Sequence, residues 1–187
     1  GSSIDLAAGN YQLLFFFNGN NTATTTISLS GTVADGDVFV VADDGSVQAI
    51  LDEADQTSTS NFFNGNDAVA LVKNGVNIDV FGQIGTDPGT SWPGGGANVT
   101  LIRNVDVFSG DTDGSDAFDA SVEWSSFSED NFDDLGQHTI KCSGPSITQQ
   151  PQSISVTEGS PASFIAVASG VGTLSYQWQL RPAGTGS

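Results

Sequence analysis

The sequence predicts an all-β protein whose larger part is an antiparallel β-sandwich. Short strand-like segments follow one another along the chain, and clusters of turn residues separate them. Hydrophobic residues make up 37% of the chain and include twelve Phe and three Trp, which is enough to build a packed core. The 23 glycines, together with many Ser, Thr, Asn and Asp residues, favour strands and turns over helices.

The strands can be assigned in order from the local pattern. Tyr11–Phe17 (YQLLFFF) is a short apolar run between turn residues, which is typical of a buried strand. Asp67–Lys73 and Val76–Phe81 flank Asn-Gly, the strongest short-range signal for a β-hairpin. The remaining predicted elements are strands at Thr24–Leu29, Asp37–Val41 and Val99–Arg103, one helical turn within Val47–Ala54, and a strand that begins at Ser121.

The composition changes near Cys142, where Asp becomes rare and proline appears twice in a short stretch. We therefore predict two domains, residues 1–142 and 143–187. The second domain shows another β pattern, with strands expected at Ser153–Val156, Ala162–Ala168 and Leu174–Leu180.

The charge of the chain limits its partners. Four Lys and Arg residues stand against 22 Asp and Glu residues, which gives a formal net charge of -18. Nucleic-acid affinity comes largely from Lys and Arg that displace counterions, so we expect no direct binding of nucleic acid. No apolar run approaches the length of a membrane helix, so we expect no membrane insertion. The single cysteine excludes a disulfide within this chain.

Four blocks of the first domain read GSSIDLAAGNYQLLFFFNG, TTTISLSGTVADGDVFVVAD, NFFNGNDAVALVKNGVNIDVFGQIGTDPGTSW and GDTDGSDAFDASVEWSSFSEDNFDDLGQHT. Together they resemble the bacterial lamin-tail domain of secreted multidomain proteins, particularly extracellular nucleases. The resemblance implies an immunoglobulin-like β-sandwich without catalytic activity, located outside the cell or on its surface. It also implies that a first strand precedes Gly1 and that any nuclease domain lies elsewhere in the parent protein.

The second domain contains the elements ITQQP, VTEG, ASG and YQW, in this order. They resemble the beginning of a bacterial immunoglobulin-like domain. The resemblance implies that Trp178 is the core tryptophan of the third strand and that later strands are missing from residues 143–187. A half sandwich exposes strand edges, so we expect pairing with other domains of the parent chain or with another protein chain.

The acidic stretch Gly110–Trp124 is the main candidate site. Asp111, Asp113 and Ser115 alternate like the first ligands of an EF-hand loop, but position six is Asp116 where the loop requires glycine. A looser calcium site remains one interpretation, and a solvated loop in which Asp side chains cap turns is the other. The candidate calcium ligands are Asp111, Asp113, Asp116 and Asp119.

Two further interpretations concern catalysis and sugar binding. Asp116 or Asp119 with Glu123 would suit a glycosidase only across a cleft, and the single histidine, His138, lies far from any nucleophile motif. Trp92, in the loop TSWPGGG, is either a sugar-stacking platform or an anchor that folds onto the sandwich. We expect Val122 and Trp124 to enter the core.

The sequence thus predicts a non-catalytic accessory or interaction module of a secreted bacterial protein. The alternative is a calcium-dependent module for carbohydrate binding or adhesion that uses the four aspartates and Trp92.

Overall fold

The computed structural model describes residues 2–141, 144–170 and 174–179. The chain forms two compact units, Gly1–Ile140 and Lys141–Ser187, and this division lies close to the predicted boundary. Strands in mostly antiparallel sheets dominate the described residues, and the helices are short, so the all-β prediction is confirmed.

The described elements of the first unit follow one another along the chain. They are β1 (Ile4–Asp5), β2 (Tyr11–Phe16), β3 (Thr25–Ser28), β4 (Thr32–Val33), β5 (Val41–Asp43), α1 (Gln48–Leu51), β6 (Gln56–Ser58), β7 (Ala68–Lys73), β8 (Val76–Phe81), β9 (Val99–Arg103), α2 (Ala120–Glu123) and β10 (Trp124–Ser128).

The centre of this unit is a four-stranded antiparallel sheet in the order β3-β2-β7-β8. The predicted hairpin joins β7 to β8, and both turn residues have positive φ angles, 51° at Asn74 and 75° at Gly75. This is the conformation that Asn-Gly adopts in a type I′ turn, so the hairpin prediction is confirmed.

Consecutive strand residues point to opposite sides of a sheet. In the central sheet both sets of side chains include apolar residues, so both of its faces are apolar. Phe15 is 1% exposed and belongs to a cluster on one face, whereas Phe16 belongs to a cluster on the other face. The buried members of the first cluster are Leu6, Tyr11, Phe15, Ile27 and Leu29, and those of the second are Phe16, Ala68, Ala70, Val72, Val80 and Trp92.

Three two-stranded sheets accompany the central one: β1–β4, β5–β6 and β9–β10. The β5–β6 pair is parallel, with α1 in its connection, and departs from the predicted antiparallel pattern. The prediction of a strand at Asp37–Val41 is wrong except at its last residue. The N–H of Val40 donates to the Asp55 carboxylate at 2.8 Å, and its carbonyl accepts the N–H groups of Asp55 and Gln56, so Val40 bonds to the start of β6 without a regular strand ladder.

The start of the last strand also differs from the prediction. Ala120–Glu123 is a helical turn, because the Asp119 side chain accepts the N–H of Ser121 as an N-cap. Val122 therefore lies 73% exposed on this turn, and the prediction that it enters the core is wrong. Trp124 begins β10 and is half-buried against Phe81, with ring centroids 5.5 Å apart.

The second unit is described in part and contains β11 (Ser146–Gln149) and β12 (Val167–Ser169), which pair antiparallel. The strand predicted at Ser153–Val156 is not formed, and of Ala162–Ala168 only the last two residues belong to a strand. Trp178 is 61% exposed, so the prediction that it is a core residue is wrong for the described structure. Leu180 lies outside the described residues.

Candidate functional site

Arg103, at the end of β9, organises the acidic stretch. Its two terminal nitrogens bind Asp79 of β8 and Glu123 of α2, the latter at 2.7 Å. The guanidinium also lies over the Trp124 ring, 5.3 Å from the ring centroid. Burial lowers the pKa of Arg103, but the hydrogen bonds and charges of the two carboxylates outweigh it and leave the pKa raised. The guanidinium of Arg103 therefore links β8, β9 and α2 in a unit that is rich in acidic residues.

The first residues of the acidic stretch are fixed to β8. The other oxygen of the Asp79 carboxylate accepts the N–H of Asp111 at 3.0 Å. Gly110 approaches the backbone of β8 so closely that a Cβ there would lie 2.1 Å from the carbonyl oxygen of Ile78. Because the contact is with backbone, a larger residue would displace the strand or the loop.

The middle of the stretch is fixed to the segment that follows β8. The carbonyl of Gly114 accepts the N–H of Ile84 at 2.8 Å, and the carbonyl of Ser115 accepts from the Gln83 side chain at 2.7 Å. Gly114 is buried, and a Cβ at this position would lie 2.6 Å from the Ile84 side chain. The loop is therefore held through its backbone at several points.

Two aspartates of the stretch act as local turn acceptors. Asp113 accepts the side-chain O–H and the backbone N–H of Ser115, at 2.6 and 3.0 Å. Asp119 accepts the same two groups of Ser121, at 2.6 and 2.9 Å. The serine hydroxyl, followed by the backbone N–H, lowers the pKa of each carboxyl because these hydrogen bonds favour its charged form.

The four aspartates predicted as calcium ligands are not brought together in the structure. Among the described residues, no group of three or more His, Cys, Asp or Glu side chains is arranged to hold a metal ion. Asp111 accepts from the backbone of Asp113, and Asp113 and Asp119 each serve a different serine. The geometry matches the other predicted interpretation, a loop in which aspartates cap turns.

Trp92 is an anchor of its loop in this structure. It is 4% exposed, and its indole N–H donates to the carbonyl of Asp67 at 3.0 Å. Its ring packs on Gly82 and makes an edge contact with Phe118 at 5.6 Å. This buried position matches the anchor interpretation of Trp92, the second of the two that the sequence left open.

Two of the carboxylates considered for catalysis already have partners in the structure. Glu123 is bound to Arg103, and Asp119 caps α2. His138 is exposed and lines a cavity beside β9, whereas Cys142 lies outside the described residues.

Sequence reasoning missed Arg103. The sequence did contain a sign of its role, because Arg103 is one of four basic residues in a chain with 22 acidic ones. A basic residue at the end of an apolar strand in such a chain is expected to form ion pairs.

Comparisons with protein-family models, curated proteins and solved structures find no match to this chain. Within the described residues, every helix is too short or too polar to cross a membrane.

Proposed function

We propose that this chain is a non-catalytic interaction module of a secreted or surface-attached bacterial multidomain protein. In this proposal the first unit is an immunoglobulin-like sandwich of the lamin-tail type, and residues 143–187 begin a second immunoglobulin-like domain. The parent is an extracellular nuclease whose catalytic domain lies in another part of the protein. The four sequence blocks and the mostly antiparallel, all-β architecture support this proposal.

The observation that carries the proposal is the exposure of large apolar side chains on the second unit. Large apolar side chains that are exposed together mark an interaction site in a soluble protein. Phe164 and Trp178 contact each other with ring centroids 6.4 Å apart, yet both remain more than half exposed. The members that are more than half exposed are Ile147, Val156, Phe164, Ile165, Tyr176 and Trp178.

The partner that fits this surface is a β-strand. In the described part of the second unit, β11 and β12 pair only with each other, so each presents one edge without a strand neighbour. An added strand would pair with such an edge through its backbone and cover the apolar side chains with its own. We assign this strand to another domain of the parent or to another protein chain.

The charge of the chain supports a protein partner rather than a nucleic acid. The formal net charge of -18 repels phosphate, and Arg103 is already bound to two carboxylates. In a nuclease, the module would therefore contribute contacts or spacing, and the catalytic domain would bind the substrate.

Hydrogen exchange tests this proposal on the whole chain. We expect fast amide exchange in β11 and β12 of the isolated protein, and slower exchange when the full-length parent is added. Ile165→Thr should weaken this protection, while Val76→Thr, a matched change at an equally exposed residue of the first unit, should not. An isolated monomer in which β11 and β12 are already strongly protected would contradict the proposal, because the second unit would then be complete by itself.

A further inference from the structure

A concave cavity of about 350 Å³ lies in the first unit beside β9. Its walls come from α1, from β9, from Trp124 and from the segment 131–138. This volume falls within the range of small-ligand sites, which are mostly apolar with a few polar groups that orient the ligand. Trp124 is the one residue of the acidic stretch Gly110–Trp124 that lines this cavity. The exposed apolar residues of the second unit are not among its lining residues.

Aromatic side chains form part of the wall. Trp124 and Phe132 both line the cavity and are half-buried. Trp124 is fixed in orientation, because Arg103 lies over its ring and Phe81 packs edge-on at an interplanar angle of 85°. Because the guanidinium lies over the Trp124 ring, Phe132 is the aromatic side chain of the wall that is left for the apolar face of a ligand ring.

The polar groups around the cavity have unused hydrogen-bonding capacity. Asp134, Gln137 and His138 are exposed at its rim, and their side chains make no hydrogen bond within the described residues. Asp113 and Asp119, by contrast, are occupied by serines. The carboxylate accepts hydrogen bonds, and the amide and imidazole can donate or accept, so this rim suits a ligand with several hydroxyl groups.

The charged side chains around the cavity determine whether a neutral or a charged ligand can bind there. Asp79 and Glu123 already neutralise the guanidinium, and Asp134 adds a negative charge at the rim. An anionic sugar or a phosphate would be repelled here by these carboxylates and by the net charge of the chain. We propose that this cavity binds one neutral pyranose unit, with its apolar face on Phe132 next to Trp124 and its hydroxyls on Asp134, Gln137 and His138.

This site is separate from the predicted sugar-binding alternative, because it uses neither calcium nor Trp92. It is also independent of strand pairing by the second unit, so either proposal can fail without the other.

Titrations of the isotopically labelled whole chain, followed by NMR, test the proposal. The probes are glucose, galactose and mannose, each as the free sugar, together with cellotetraose and laminaritetraose, and galacturonic acid serves as the charged comparison. We expect saturable shifts of the Trp124 indole N–H with at least one neutral probe at millimolar concentration. A free sugar that binds as well as its oligomer indicates a site for a single unit, and tighter binding of a tetrasaccharide indicates a site on a longer glycan; both outcomes support the proposal.

Asp134→Ala and Asp133→Ala form a matched pair for locating the site. Both residues are exposed neighbours, but only Asp134 lines the cavity. Loss of one ligand hydrogen bond should weaken binding about tenfold in Asp134→Ala and leave Asp133→Ala unchanged. The proposal is overturned if none of the neutral probes binds, if both variants bind equally, or if galacturonic acid binds more tightly than galactose.

Discussion

Replacing Arg103 with Met should destabilise the first unit strongly, because the change leaves two carboxylates without their cation. Methionine is a long apolar side chain of similar length, but it removes all hydrogen bonds to Asp79 and Glu123. The side chain of Arg103 is 16% exposed, so the guanidinium is itself largely screened from solvent in the folded unit.

The expected magnitude follows from the exposure of the two partners. A hydrogen bond to a charged group contributes about 1.5–3 kcal/mol. Glu123 is 38% exposed and can regain water, so its pair with Arg103 is heavily screened and adds little. Asp79 is less exposed, at 32%, and it also holds the N–H of Asp111, so most of the loss arises there. We expect the free energy of unfolding to fall by about 2–3 kcal/mol, or roughly 6–12 °C in Tm.

Urea unfolding followed by tryptophan fluorescence measures this loss, since Trp124 adjoins Arg103. Lys141→Met is the matched control: it removes the same charge from an exposed position, and we expect a change within about 0.5 kcal/mol. If Arg103→Met loses no more stability than Lys141→Met, the ion pairs do not stabilise the unit and the reasoning is refuted.

Two other predictions concern the aspartates of the acidic stretch. The folded-state pKa values of Asp113 and Asp119 are lowered, so their contribution to stability is full above the unfolded pKa of about 4 and is lost as the pH falls through the folded values. Between about pH 7 and pH 3, the urea midpoint of the wild type should therefore fall more than that of the Asp113→Asn/Asp119→Asn double variant; equal decreases would contradict this. Calorimetric titration with calcium should give no saturable heat, because the four aspartates do not converge. Saturable heat that disappears in Asp113→Ala would instead establish a calcium loop.

The parts of the fold that local chemistry determines were predictable from the sequence. Asn74-Gly75 requires a tight turn with positive φ angles, and both strands of that hairpin were assigned correctly. Val99–Arg103 was also predicted with its exact bounds, because a short apolar run between turn residues has few alternatives to a strand.

The errors arose where side chains compete for backbone groups. The Asp55 carboxylate takes the N–H of Val40, which ends the expected strand pattern before β5. Asp119 caps a helical turn that turns Val122 outward. Alternation of apolar residues does not reveal such competition, because the carboxylate of Asp55 comes from a different part of the chain.

The candidate sites were predictable in part. The sequence located the acidic stretch, but it did not reveal that Arg103 would fix it. The cavity beside β9 was also missed, because it combines segments distant in sequence, and no local pattern reports that Trp124 and His138 share a wall.

The adjacent residues Phe15 and Phe16 have a consequence for the cooperativity of unfolding. They lie on one strand, β2, but each supports a different hydrophobic cluster on opposite faces of the central sheet. Removing β2 from its neighbours β3 and β7 would open both clusters at once. Loss of β2 would therefore disrupt both hydrophobic clusters together. We expect the central sheet and its two clusters to unfold in one all-or-none transition.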